Sequence, residues 1–255
     1  SDTHLFSDPG GRLLGQRTRH SFEAVLGLVR ATLLPADAVL LSGDLVHDER
    51  PGGYRYLRAC MQALGSPFYA IPGNHDQLGL LVEHLDPGAA EPVRCVDIAD
   101  WCLVLLDSTL PGEDGGRLGA SRLAVLDASL AQRSHRPTLV CLHHHPVPVG
   151  SPWMDEIGLA DGDALVAVLD RYPQVRGVLW GHIHQAFDGQ RGAVRLMGCP
   201  ATSVQFLPRS QDIALDLAAP GLRWLELFPD GRLVTGIARL PPDYDPVDLP
   251  TDVLP

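Results

Sequence analysis

With 255 residues, 45% of them apolar, the chain is long enough to close a sizeable hydrophobic core, and its composition does not point to disorder. A formal charge of −11 argues against the broad basic face that nucleic-acid binding requires, so an anionic ligand would have to be met by cations other than Lys and Arg, which points to bound metal. No apolar run approaches the roughly 20 residues that cross a bilayer and no basic-then-apolar leader opens the sequence; a cytoplasmic protein with no membrane partner is expected.

Ser1-Asp2-Thr3-His4 reads as the exit of a strand, and the strand itself is expected upstream in a longer natural chain. Side chains two apart share a face in extended backbone, so Asp2 and His4 could grip one ion, although short pairs of this kind are common by chance. Residues 21–32 carry apolar positions at Phe22, Val25, Leu26 and Val29, a helical spacing. A strand over 37–42 then runs into Gly43-Asp44, which puts a carboxylate at the edge where open α/β sheets bind ligands; a turn residue closing the strand is the plain alternative. A strand over 67–71 leads into Pro72-Gly73-Asn74-His75-Asp76, where turn chemistry accounts for Gly, Asn and Asp but leaves His75 unexplained.

A strand is expected over 101–107, a helix over 123–130 and a strand over 138–142 that ends in His143-His144-His145-Pro146. Alternate residues face opposite ways, so the three rings cannot share one target; His144 is preferred as the ligand, with its neighbours as pocket wall. A helix over 164–169 and a strand over 175–180 precede Gly181-His182-Ile183-His184, two imidazoles at the same-face spacing. Strands over 194–197, 222–228 and 233–238, with turns at Pro220-Gly221 and Pro229-Asp230-Gly231, close the fold as a meander. One domain over 1–240 and a Pro/Asp-rich tail over 241–255 follow. The five cysteines are scattered and set among apolar neighbours, as reduced core residues are.

Five segments thus place donors at the carboxyl ends of strands. The donors are Asp2, His4, Asp44, Asn74, His144, His182 and His184, and seven ligands with one shared Asp suit two metal ions. The ordered set DTH, GD, GNHD, HHHP and GHIH, from residue 2 to residue 184, resembles the signature of the calcineurin-like metallophosphoesterases. That resemblance implies a four-layer α/β/β/α sandwich with two mixed β-sheets flanked by helices. It implies a first ion on Asp2, His4, Asp44 and His184, and a second on Asp44, Asn74, His144 and His182, with Asp44 bridging and His75 unligated. Fe and Mn are the expected metals, with Zn as the third choice.

Further segments are similar to the bacterial class III 3',5'-cyclic-AMP phosphodiesterases: Leu5-Phe6, Leu13-Leu14-Gly15, the HHHPVP of residues 143–148, and residues 200–206 and 219–223. This similarity implies hydrolysis of cyclic AMP, a small-molecule partner, to 5'-AMP by in-line attack of a metal-bridging hydroxide. His75 would be the catalytic acid, oriented by Asp76, and His4, Asp44, Asn74, His75 and His184 would contact substrate. Two other expectations stand beside it: the same centre acting on a glycerophosphodiester or a phosphomonoester, and a protein-binding scaffold without turnover.

Overall fold

The computed structural model describes residues 1–242 and 244. In chain order these form β1 (Arg12–Leu13), β2 (Gln16–Arg17), α1 (Thr18–Thr32), β3 (Val39–Ser42), α2 (Pro51–Leu64), β4 (Phe68–Ile71) and α3 (Leu78–His84). There follow β5 (Val93–Ile98), β6 (Trp101–Leu106), α4 (Gly119–Gln132), β7 (Thr138–Leu142), α5 (Pro152–Asp155), α6 (Gly162–Leu169) and β8 (Val175–Trp180). The last elements are β9 (Phe187–Arg191), β10 (Val194–Gly198), β11 (Gln205–Phe206), β12 (Leu215–Asp216), β13 (Gly221–Leu227) and β14 (Leu233–Arg239). Of the tail expected over 241–255, only Pro241, Pro242 and Tyr244 lie among the described residues.

The principal sheet has the order β5-β6-β7-β8-β10-β9. Its four inner strands run parallel, and β5 and β9 are antiparallel edges. Strands buried on both faces read as continuous apolar runs, and every residue of β6 and β7 is buried. The period of two divides them between two cores. Cys102, Val104, Leu106, Val140, Leu142, Val178 and Trp180 face a core shared with α4 and α6, through Leu126, Leu130, Leu165 and Leu169. Trp101, Leu103, Leu105, Leu139, Cys141 and Leu179 face the other way, onto Ile71, Leu40 and Tyr69 of β3 and β4 and Leu225, Leu227 and Leu233 of the β13-β14 hairpin.

The parallel pair β3-β4 turns its remaining face, Leu41 and Ala70, onto Phe22 and Leu26 of α1, Tyr54, Leu57 and Met61 of α2, and Leu81 of α3. The layers therefore run helix, strand, strand, helix, the four-layer order that the resemblance implies. The second strand layer differs from the expected second mixed sheet: among the described residues it consists of the parallel pair β3-β4 and the antiparallel hairpin β13-β14, not hydrogen-bonded into one sheet.

Each strand and helix expected from the sequence is present, with ends shifted by a few residues; α1 starts at Thr18 and β3 at Val39. Not anticipated are β1, β2, α2, α3, β5, α5, β9, β11 and β12. Among the described residues, no helix is long and apolar enough to cross a membrane.

Leu57 is fully buried between α2 and the β3-β4 pair. Leu57→Ala is expected to cost about 2–5 kcal/mol, the range for emptying a core site that cannot collapse. Urea denaturation with an unchanged m-value measures it, and a loss below about 1 kcal/mol would contradict this packing.

Candidate metal centre

The donors predicted from the sequence converge at one end of the two strand layers. Residues 1–5 lie along residues 43–47: Asp2 N donates to Gly43 O at 3.0 Å, His4 N to Asp44 O at 2.9 Å and Leu5 N to Leu45 O at 2.9 Å. The backbone is not extended there, as the same-face argument for Asp2 and His4 assumed. Asp2 (φ 51°), His4 (φ 42°), Asp44 (φ 52°), His182 (φ 65°) and His184 (φ 50°) all adopt the left-handed conformation that non-glycine residues rarely visit. Strain of this kind, of order 1–3 kcal/mol per residue, persists only where the surroundings over-determine it. Here it aims five side chains at one volume.

Two sets of donors face each other across Asp44. On one side Asp2, His4, Asp44 and His184 offer ligand atoms all within 4.8 Å of one another. Asp44 Oδ2 is 3.5 Å from His4 Nε2, and Asp2 Oδ1 is 3.5 Å from His184 Nε2. On the other side Asp44 Oδ1 is 3.4 Å from His143 Nε2, and Asn74 Oδ1 is 3.1 Å from both His143 Nε2 and His182 Nδ1. One carboxylate thus presents an oxygen to each set.

The sets fit cations. Nδ1 of His184 donates to Val204 O at 2.8 Å and Nδ1 of His143 to Ser42 O at 2.8 Å, so in each ring Nε2 is the nitrogen turned toward the centre, where a cation would take the place of any proton it carries. The Nε2 atoms of His4 and His184 are 3.2 Å apart, a separation that needs a proton or a cation between them. Burial holds His4 and His182 well below the ordinary imidazole value, against the pull of Asp44, and lowers His184 too, against Asp2 and Asp44. Neutral imidazole is the form that binds metal. Burial alone would raise Asp44, but the charge and hydrogen bond of His143, with His4, hold it well below the carboxylate range. For His143, burial is outweighed by Asp44, and the ring is pushed up to about 9.

Within the triplet the geometry favours His143 over the His144 preferred from sequence. Nδ1 of His144 lies 2.8 Å from Ser108 Oγ and Nε2 lies 3.1 Å from Asp114 O, so both nitrogens are engaged by protein, although the ring shares the neighbourhood of His143 and His182. His145 stacks on His182 at 5.7 Å and lies 3.4 Å from Asp155.

His75 stands at the rim, its ring 5.1 Å from that of His4 and 4.8 Å from that of His47, while its backbone N–H donates to Asp44 Oδ1 at 2.9 Å. The expected role for Asp76 changes. Its carboxylate accepts from Leu45 N and Val46 N at 3.1 Å, Gly73 N at 3.0 Å and Tyr54 Oη at 3.0 Å, so it braces the two loops instead of orienting the His75 ring. Close approach makes Gly73 obligatory, since a Cβ there would collide with the Asp44 carboxylate. An aromatic wall adjoins the centre, its Phe206 within the 200–206 segment and its Trp153 not anticipated: Phe206 stacks on His184 at 4.5 Å and meets Trp153 edge-on at 5.1 Å. The marker for it was the segment 200–206, singled out only by resemblance.

A layered strand sandwich that gathers Asp, Asn and His donors at one strand-end rim defines a dinuclear metallohydrolase type of protein. Residues 1–186 match the calcineurin-like phosphoesterase family, and the chain belongs to that family. It is 45% identical over 240 residues to the 3',5'-cyclic adenosine monophosphate phosphodiesterase CpdA of Pseudomonas aeruginosa, covering 94% of this chain and 88% of that one. To the CpdA of Escherichia coli K12 it is 37% identical over 241 residues, with the same coverages. A 3',5'-cyclic-nucleotide phosphodiesterase of Nostoc is also 37% identical over 94% of this chain and 91% of its own. The fold is shared with a dimetal phosphatase of Danio rerio, TM-score 0.65 at 16% identity, covering 88% of this chain and 92% of that chain. GAP50, the inner membrane complex anchor of Plasmodium, shares it as well, TM-score 0.62 at 11% identity over 97% and 88%.

Acid should loosen this centre. An unfolded chain protonates imidazoles near 6.5, whereas the fold depresses His4, His182 and His184 and takes His144 and His145 to about 3 and about 4. Their stabilising contribution is complete above about 6.5 and is lost as pH falls toward those folded values. Asp76, raised to about 6 by burial and by Asp44, acts in the opposite sense but is outnumbered. His143 contributes below 6.5 and loses its contribution only as pH rises through about 9. The melting temperature of metal-free protein is expected to drop between pH 7 and pH 5; a flat or rising profile would refute this balance.

Proposed function

We propose that this chain is a metal-dependent phosphodiesterase that hydrolyses 3',5'-cyclic AMP to 5'-AMP in the cytoplasm. The observation that carries it is Asp44, whose two oxygens address separate donor sets 3.4–3.5 Å away on either side. We assign one ion to Asp2, His4, Asp44 and His184 and the other to Asp44, Asn74, His143 and His182. Two cations so held, Fe or Mn before Zn, would supply Lewis acidity for attack of water on the phosphoryl group.

The residues of the chain supply the rest. His4, Asn74, His184 and His75 surround the position of the cyclic phosphate. His75, rim-placed beside His4 and His47, holds the proton that the 3'-oxygen takes as its bond to phosphorus breaks, while water supplies the new oxygen on phosphorus. Asp76 keeps the two loops in register through its four donors, and Phe206 with Trp153 offers an apolar wall beside His184 where a purine would lie. We take residues 1–240 as one domain, a reading supported by the core shared between the strand layers. The identities to cyclic-AMP phosphodiesterases over 94% of the chain support this substrate over a glycerophosphodiester or a phosphomonoester. The full donor set argues against a scaffold without turnover.

Product analysis tests the reaction. Manganese-loaded protein should convert cyclic AMP to 5'-AMP and stop when a chelator is added, and His75→Ala should lower kcat by roughly 10²–10⁴ with metal content unchanged. Release of 3'-AMP, turnover in chelator, or faster cleavage of an aryl diester or the 2',3'-cyclic isomer would redirect the assignment.

Metal content separates His143 from His144. His143→Ala should leave about one ion per chain and His144→Ala about two, by elemental mass spectrometry. The reverse pattern would restore His144 as the ligand.

A further inference from the structure

A second cluster of charge lies away from the metal centre. β8 runs from Val175 to Trp180, and its carboxyl end delivers Gly181 and His182 to the metal site. Arg176 is near the other end, about 13 Å back from Trp180 along the strand at 3.3 Å per residue. There Arg176, Arg195 of β10 and Arg232 of the β13-β14 turn line a groove of about 640 Å³, together with Gln190, Gly231 and Asp188.

The charges in this groove do not cancel. Asp188 pairs with Arg195 at 3.0 Å and also with Arg223, whose side chain is 1% exposed, at 3.0 Å, so its single charge is already shared. Arg232 has Asp230 only at 3.8 Å and lies 3.9 Å over the ring of Phe228. Arg176 has no carboxylate partner among the described residues, and its Nε is buried without a hydrogen bond. The turn passes close to it: Gly231, at φ 81°, lies against the guanidinium, and a Cβ there would sit 3.1 Å from Nε. A guanidinium with a buried Nε that lacks an acceptor, and with no carboxylate beside it among the described residues, is a prepared half of an ion pair.

A net negative chain that gathers three arginines on one groove concentrates positive potential against its overall charge. The volume lies within the range of small-molecule sites and exceeds what a single oxyanion fills. Guanidinium forks match phosphoryl oxygens two at a time. We propose that this groove is a binding site for a small polyphosphate anion, separate from the metal centre and independent of the reaction assigned to it.

Inorganic pyrophosphate and ATP, titrated calorimetrically into metal-loaded protein at low salt, are the probes. The expected result is saturable binding, weakened at least about tenfold in Arg176→Gln/Arg232→Gln and retained in Asp44→Asn, in which the metal centre is disabled. Equal binding of both probes assigns the groove to the phosphates alone, and tighter binding of ATP extends the site to a nucleoside. Cyclic AMP hydrolysis by the arginine variant should match the unsubstituted protein, which shows that it folds. Absence of saturable binding would overturn the proposal, and so would binding lost in Asp44→Asn but kept in the arginine variant. An equal heat from sulfate, with no dependence on either arginine, marks an adventitious ion only and has the same consequence.

Discussion

The Asp44 carboxylate is the constraint around which the structure is arranged. It is 2% exposed, and an ionised carboxylate that deep is tolerated only when opposite charge and hydrogen bonds meet it. Within the chain it meets His143, His4 and the backbone N–H of His75. Those partners are drawn from three different segments, so satisfying one buried charge requires the strand ends to come together. The neighbouring groups answer to the same requirement. Gly43, at φ 93°, turns the chain so that Asp44 can point inward, Gly73 leaves room for its oxygens, and the carboxylate of Asp76 ties both loops with bonds from residues 45, 46 and 73.

The layers make that convergence affordable in stability. Each strand that feeds the centre is buried on one or both faces, and the large apolar residues Trp101, Trp180, Tyr54, Leu57 and Leu105 are almost wholly removed from water. Apolar burial of this kind, about 25 cal/mol per Å², offsets local strain of a few kcal/mol at the rim. The strained residues are therefore confined to the ends of elements whose interiors are regular. Loops on a rigid scaffold carry the chemistry, and the scaffold holds them where relaxed chain would not stay.

The family's fold does not by itself fix an activity, since a phosphatase from zebrafish and an anchoring protein of Plasmodium share it at 16% and 11% identity. What separates an enzyme from a scaffold is the donor set, and what separates one phosphoester from another is the wall around it. Beside the donors stand the rim imidazoles of His47 and His75, and Phe206, backed by Trp153, stacks on His184. The arginine groove, at the amino ends of β8 and β10, belongs to the other end of the same sheet.

The donors and the strands that carry them were legible in the sequence, because an apolar run ending in Asp, Asn or His is a local pattern. α2 was not anticipated: Pro51 and the spacing of Tyr54, Leu57, Met61 and Leu64 mark it, but Gly52-Gly53 obscured its start. The choice between His143 and His144 could not be read locally. An imidazole binds through whichever nitrogen its other partners leave free, and those partners, Ser42 for one ring and Ser108 and Asp114 for the other, lie 30 to 101 residues away. The same holds for Asp76, whose oxygens found backbone donors instead of the adjacent ring, and for the left-handed turns that replaced extended chain at Asp2 and His4. Sequence determined which groups could coordinate; tertiary packing decided which atom of each was turned inward, because hydrogen-bond partners are assigned by proximity in space.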